Sequence, residues 1–304
     1  MPLSDLSFVD LSLHANPEQC RVKGADGAMA LLPVPQELWP ETRALYDDLY
    51  AREEGQTSFR MEWGGMRLRV TRRTTLSGVI FVARRGNRTV RTLEEMRISP
   101  AIIAKLIDPK LRGGAVLFCG PPASRKTTLA CATLKGRMER LGGFCWTAEN
   151  PIEYEDLQGA HGKGYCCQEE ITSDNEILRV MSDTLRSSAD MFFIGEIREK
   201  TGAEAAMLAS ASGMFVASTL HADTTQQAIQ KMGILVGWSA FAQMLKAVIT
   251  VRLERMGNET VMSLQPLFLD GVDGDGIRSK IRDGNVGLLS SDIDKQRFQA
   301  LNHP

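Results

Sequence analysis

Between Leu117 and Thr128 an apolar run, Leu117-Phe118-Cys119, breaks on Gly120-Pro121-Pro122-Ala123-Ser124-Arg125 and hands over to Lys126-Thr127-Thr128 at the head of a helical pattern. Strand, loop and helix follow the spacing G-x-x-x-x-G-K-[ST]. At that spacing backbone N–H groups converge on a phosphate, and the positive end of the helix faces it. The lysine then contacts the β- and γ-phosphates and the next hydroxyl ligates magnesium; Lys126 and Thr127 supply both groups. One position departs from the pattern, because Arg125 stands where the second glycine belongs. That glycine takes a backbone conformation that side chains resist, so keeping the usual loop costs ~1–3 kcal/mol of strain at Arg125. The Arg125 cation either lies along the phosphates and offsets part of that cost, or it blocks the site. Pro122 and Ala123 stiffen the loop further. An imperfect match of this kind also arises by chance, and the rest of the chain has to decide.

From Ala115 onward, apolar strands alternate with helical stretches. Strands are expected at 115–119, 144–148, 191–195 and 214–220, and helices near 126–140, 174–187, 201–212 and 224–235. Such alternation implies an α/β domain, a largely parallel sheet flanked by helices. Residues 239–255 read as a further amphipathic helix, 261–269 as a late strand, and 271–304 as a Gly- and Asp-rich tail that is helical at best. Upstream, 40–52 has helical spacing with Pro40 in its first turn. Residues 59–63 and 66–70 alternate apolar and charged across Gly64-Gly65, the pattern of a β-hairpin with one buried face. A third strand is expected at 79–83 and a helix over 93–107, whereas 1–35 shows little periodicity and no internal repeat is visible. The expected organisation is a small α+β domain over 1–84, a linker over 85–97, and an α/β domain over 98–304.

Composition removes several function classes. The net charge is −1, so no global basic field draws in nucleic acid. No apolar run is long enough to cross a bilayer, and Met1-Pro2-Leu3-Ser4-Asp5 lacks the basic start of a signal peptide. The 6 cysteines form no C-x-x-C pair, which argues against a zinc or redox motif and for reduced cytoplasmic thiols. Cys119 and Cys131 sit in apolar contexts and are expected in the core.

Three more strand ends carry polar chemistry. The run Met191-Phe192-Phe193-Ile194 ends in Gly195-Glu196, and α/β sheets place ligands at the C-terminal ends of such buried strands. Glu196 is there to orient an attacking water and hold a metal's shell. Thr147-Ala148-Glu149-Asn150-Pro151-Ile152-Glu153 follows a second strand, and its two carboxylates beside a proline suit a magnesium–water site. Phe215 to Thr219 lead to Leu220-His221, where a histidine can hydrogen-bond a γ-phosphate. Taken singly, a charged strand end, a polar loop and a lone histidine are ordinary structural features. In a parallel sheet, however, these ends share one edge with the phosphate loop, and their joint occurrence in this order is far rarer.

These residues resemble the secretion and pilus ATPases of the PilT/GspE type, found in type II and type IV secretion and type IV pili. That family carries G-P-T-G-S-G-K-[ST]-T, T-x-E-D-P-I-E, G-E-[MI]-R-D and T-L-H; the matching stretches here are 120–128, 147–153, 195–199 and 219–221. The similarity runs from about Phe59 to Leu269. Arg67-Leu68-Arg69-Val70 matches a family strand, R-[FL]-R-V, and Arg84 an arginine that ends the third strand. Gln168 matches a glutamine without an assigned purpose. Departures are Asn150 for the family's aspartate, Met214 for an earlier histidine, the absence of an arginine near Ser77, and the lack of a tetracysteine zinc module.

The resemblance implies a PAS-like N-terminal domain, a RecA-like ATPase domain and a hexameric ring in the cytoplasm, peripheral to the inner membrane through a platform protein. It implies ATP and Mg²⁺ held by Gly120, Pro121, Ser124, Arg125, Lys126, Thr127 and Thr128, with Mg²⁺ on Thr127. Glu196 is then the Walker B carboxylate, Glu149 polarises water or metal, and His221 reports on the γ-phosphate. Arg69 and Arg84 are the candidates to reach nucleotide as the domains close about the linker; a solvated strand face is the other reading of both. Direct contact with nucleic acid is not expected. An active motor and a non-hydrolysing structural or regulatory ring subunit both remain open.

Overall fold

Short antiparallel strands dominate the first part of the chain. In the computed structural model, which describes residues 2–24, 30–52, 57–86, 89–257, 259–271 and 273–302, two compact units are distinguished, Met1–Arg88 and Thr89–Pro304. The first contains β1 (Asp10–Leu13), β2 (Arg21–Lys23), β3 (Leu31–Pro33), α1 (Trp39–Tyr50), β4 (Ser58–Trp63), β5 (Met66–Thr75) and β6 (Gly78–Gly86). These strands form one antiparallel sheet in the order β3-β2-β1-β6-β5-β4. The expected hairpin is β4–β5, with Trp63 opposite Met66 across the Gly64-Gly65 turn. Period-two burial aims Leu11, Leu13, Leu68, Val70, Phe81 and Ala83 at one core, which also buries Leu45, Tyr46 and Leu49 of α1. β1 to β3 lie in the stretch with little periodicity, because strands of three or four residues are too short to display it.

Within the expected linker, residues 89–92 carry no regular structure and 93–97 form turns. β6 continues to Gly86, Asn87 and Arg88 lie outside the described residues, and Val90 and Leu93 are buried with the second unit's core. The expected helix over 93–107 is confined to α2 (Pro100–Leu106). Ser99 is extended, at φ −53° and ψ 132°, as a residue before proline prefers, so the helix starts at Pro100.

The second unit continues with β7 (Gly114–Gly120), α3 (Lys126–Leu141), β8 (Gly143–Glu149), β9 (Gly159–His161), β10 (Gly164–Glu170), α4 (Ile177–Leu185), β11 (Met191–Ile194), α5 (Lys200–Ala211), β12 (Phe215–His221), α6 (Thr225–Val236), α7 (Trp238–Met244), β13 (Leu245–Met256), β14 (Glu259–Phe268), α8 (Gly274–Arg282) and α9 (Ser290–Asn302). The sheet order is β14-β13-β7-β12-β11-β8-β10-β9. All pairs from β13 to β10 are parallel, and β14 and β9 close the edges antiparallel. β7 is buried throughout. Its Val116 and Phe118 join the cluster with α2 and α3, and its Ala115, Leu117 and Cys119 join the one with α4 to α8. Helices therefore cover both faces, as continuous apolar strands require.

The expected helix over 239–255 is a misreading. α7 stops at Met244 and the chain becomes strand β13. Four consecutive β-branched residues, Val248-Ile249-Thr250-Val251, fit a pleated strand better than a helix. β13 also gains a partner on each side, β7 and β14.

Candidate functional site

Gly120 closes β7 with φ +150°, and a Cβ there would lie 2.2 Å from the Val251 carbonyl oxygen, so only glycine fits the strand-to-loop corner. The loop then turns through two left-handed residues, Ala123 at φ 60° and Arg125 at φ 70°. Arg125 thus adopts the backbone that a glycine would take freely, directly before the first residue of α3, and its side chain is exposed. Ser124 is 3 % exposed, and its Oγ, 2.8 Å from where a Cβ of Gly120 would stand, has no hydrogen-bond partner in the structure. An orphaned hydroxyl inside such a loop is a polar group waiting for a ligand or a water.

Lys126 is buried and its Nζ donates to the Pro121 carbonyl at 2.7 Å. Burial pushes its ammonium below the ordinary lysine range, against the opposing pull of Glu196, Cys119, Glu153 and Asp223. Thr127 is half-buried in the first turn. Thr128 Oγ1 is 2.5 Å from Tyr154 Oη, which ties the head of α3 to the segment after β8.

Parallel registration sets the other residues beside the loop. His221 pairs in register with Gly120, Ile194 with Ser218 and with Ala148. β7, β12, β11 and β8 are consecutive in the sheet, so Gly120, His221, Glu196 and Glu149 come at the C-terminal ends of four adjacent strands. Glu196 Oε1 lies 3.1 Å from His221 Nε2. Its Oε2 accepts from Arg198 Nε at 3.0 Å, and Arg198 Nη2 donates to the Asn150 carbonyl at 3.4 Å. Glu149 is 1 % exposed, and its Oε1 accepts from Thr147 Oγ1 at 2.7 Å and from Gln168 Nε2 at 2.9 Å. A cleft of about 280 Å³ opens between the loop and the end of β12, lined by Gly120, Pro121, Pro122, His221 and Asp223 among others.

Arg69 and Arg84 are register partners on β5 and β6 of the first unit. Arg84 holds Asp10 through two hydrogen bonds of 2.7 and 3.1 Å. Asn150, the replaced family aspartate, donates from Nδ2 to the Thr172 carbonyl at 3.2 Å, and Met214 is buried just before β12. Among the described residues, no cluster of three His, Cys, Asp or Glu side chains is arranged to hold a metal, and no helix is long and apolar enough to cross a membrane. Sequence reasoning missed Tyr154 and the orphaned state of Ser124; the first needs the fold to bring Tyr154, 26 positions after Thr128, back onto α3, and the second shows only in three dimensions.

Comparison with known proteins gives a family and a fold. The family model described as type II/IV secretion system protein matches residues 53–269. The type IV pilus ATPase PilU of Pseudomonas aeruginosa is 31% identical over 154 residues, which is 50% of this chain and 38% of PilU. The type II secretion system protein HxcR of the same organism is 32% identical over 167 residues, 54% of this chain and 34% of HxcR. The matched region thus spans little more than a third of the length of these curated relatives. Among solved structures, the pilus retraction motor PilT with bound ADP superposes with a TM-score of 0.75 at 21% identity, covering 95% of this chain and 86% of PilT. The ATPase DotB of Legionella pneumophila gives 0.71 at 17% identity, covering 94% and 84%. This likeness establishes the fold, a RecA-like core with an N-terminal α+β domain.

Proposed function

The chain belongs to the type II/IV secretion system protein family, and on that footing we propose that it binds ATP with Mg²⁺ and hydrolyses it to power type IV secretion, conjugation or pilus assembly and retraction. The observation that carries this reading is the row of four adjacent strand ends bearing the phosphate loop, His221, Glu196 and Glu149. The donor set fits a nucleotide. The loop supplies the buried, unpaired Ser124 hydroxyl and the buried Lys126 ammonium. Thr127 would hold Mg²⁺, which keeps most of its shell as water and substrate phosphate. When bound, the metal neutralises charge developing on the transferred phosphoryl group.

In this reading Lys126 exchanges the Pro121 carbonyl for phosphate oxygens. Glu196 orients the attacking water, and Glu149 polarises it or the metal's shell. His221 couples the Glu196 carboxylate to the γ-phosphate. Gly120, Pro121, Ser124, Arg125 and Thr128 line the phosphate path, and Arg69 and Arg84 approach as the N-terminal domain moves relative to the core. The working form is a homo-oligomeric ring, hexameric by analogy with the family, cytoplasmic and docked on an inner-membrane platform protein. The domain limits proposed are 1–84, 85–97 and 98–304.

Magnesium-dependent ATP hydrolysis, measured together with oligomer mass in one preparation, tests the proposal. Turnover that Glu196→Gln abolishes is expected. A parent without turnover would overturn it. The left-handed Arg125 favours one second reading, a structural or regulatory ring subunit that does not hydrolyse nucleotide. ATP affinity absent from the parent and gained in Arg125→Gly would establish that alternative, and strong parental turnover would end it.

A further inference from the structure

Glu149 is the more deeply buried of the two strand-end carboxylates, and the groups that hold its Oε1 come from two strands. Thr147 sits two residues earlier on β8, so it shares Glu149's side of the strand. Gln168 sits on β10 as the register partner of Thr147, and Glu170 as the partner of Glu149. Parallel partners present their side chains on the same side of a sheet, which brings the Gln168 amide to the carboxylate. The donation from Gln168 Nε2 measures 2.9 Å. Gln168 is itself fixed, because its backbone N–H donates to Gln158 Oε1 at 2.7 Å. Burying a carboxylate is costly unless donors meet it. A position that served packing alone would carry an apolar residue, as Cys145 and Cys166 do two pairs earlier in the same register, on the same face.

We propose that Gln168 is a positioning residue for Glu149, fixing the direction in which the carboxylate's other oxygen faces the nucleotide. This rests on Glu149 acting on water or metal during hydrolysis. In this assignment Gln168 acts through the bond to Oε1 and not by contact with nucleotide or metal. Its substitution should therefore lower turnover without changing nucleotide affinity, and should have no effect once the Glu149 carboxylate is gone.

The experiment uses the full chain and four variants: Gln168→Met, which keeps length and removes the donor, Gln168→Glu, Glu149→Gln, and the double variant Glu149→Gln/Gln168→Met. Single-turnover hydrolysis of MgATP and equilibrium binding of MgADP are read for each. The expected result is a drop in rate of about 10–100-fold for Gln168→Met, the usual loss when an outer partner of a working carboxylate is removed. Gln168→Glu should fall at least as far, MgADP affinity should stay within about twofold in both, and the double variant should equal Glu149→Gln. Parental turnover in Gln168→Met, or a Gln168→Met penalty that persists in the Glu149→Gln background, or a loss confined to MgADP affinity, each overturns the assignment of Gln168 while leaving hydrolysis by the parent intact. A parent that binds MgADP but hydrolyses no ATP overturns the proposed function and this role together.

Discussion

His221 Nε2 stands 3.1 Å from Glu196 Oε1, and the two residues close neighbouring strands of the same sheet, β12 and β11. The carboxylate is held from its other oxygen by Arg198 at 3.0 Å. A base fixed on both sides has little freedom to reorient, which is the preorganisation that phosphoryl transfer draws on. Glu196→Gln keeps the shape and removes the charge. We expect it to reduce kcat by about 10²–10⁴-fold while MgADP still binds. His221→Ala should cost less, about 10–100-fold, because Arg198 still orients the carboxylate. Steady-state hydrolysis with a separate binding titration checks both, and a Glu196→Gln enzyme with parental turnover would remove Glu196 from the mechanism.

Arg125 separates strain from charge. Its left-handed backbone, φ 70° and ψ 29°, costs a non-glycine residue ~1 kcal/mol or more. Arg125→Gly should therefore stabilise the free protein by ~1 kcal/mol, a rise of about 2–4 °C in Tm for a unit of this size. Arg125→Ala keeps the Cβ and should not. Both variants lose the same cation, so both should bind MgATP about threefold to fivefold more weakly, the scale of an exposed ion pair, with a flatter salt dependence. Scanning calorimetry and titration at two ionic strengths measure the two effects separately. Tighter binding in both variants would mean that the arginine obstructs the loop.

Arg137 anchors the helix that follows the phosphate loop. It is 2 % exposed; its Nη1 donates to the carbonyls of Leu106 at 2.7 Å and Asp108 at 3.1 Å, and its guanidinium lies 3.9 Å from the Phe215 ring centroid. Burial depresses its pKa to about 10, still far enough above neutrality to keep the charge. Arg137→Met leaves two carbonyls short of a donor and should cost about 2–4 kcal/mol in urea unfolding. Arg137→Lys should recover only part, because an ammonium lacks the planar fork that stacks on the ring. Full recovery with lysine would show that charge alone matters at this position.

The legible parts of this fold are those whose residues repeat one signal. β7, β11 and β12 are buried almost throughout and β8 over most of its second half, so each reads as an apolar run, ended by Gly120 or by one of the polar residues Glu149, Glu196 and His221. Parallel topology then assembles them without further instruction. The illegible parts depend on partners distant in the chain. Residues 245–256 carry enough spaced apolar side chains to mimic a helix; the β-branched run at 248–251 and pairing with β7 and β14 make them a strand. Residues 159–170 mix glycine, cysteine and acid, so β9 and β10 left no pattern, and with them went the contact of Gln168 to Glu149. Arg137 falls inside the expected helix over 126–140, and nothing local in the sequence marks the ring of Phe215 that receives it.

Lys126 gives opposite pH signatures in the free and bound protein. Burial makes its ammonium unfavourable, and so its pKa in the folded chain lies below the ordinary 10.5. The sign for stability follows from linkage. Below the lowered pKa both folded and unfolded lysine are protonated and the folded state bears the full cost; as pH rises through that pKa the folded state sheds the proton first, and the contribution of this group to stability increases. In the proposed function the ammonium holds phosphate, so nucleotide binding should run the other way. Affinity for MgATP should be level near neutrality and fall as pH rises through the lowered pKa, earlier than an exposed lysine would allow. Lys126→Arg should remove this alkaline fall, since a guanidinium stays charged throughout, and Lys126→Met should abolish the pH dependence along with most of the affinity. Titration of MgATP between pH 7 and about 10, the span below the ordinary lysine value, reads the effect. A flat profile in the parent would show that Lys126 does not carry the phosphate contact.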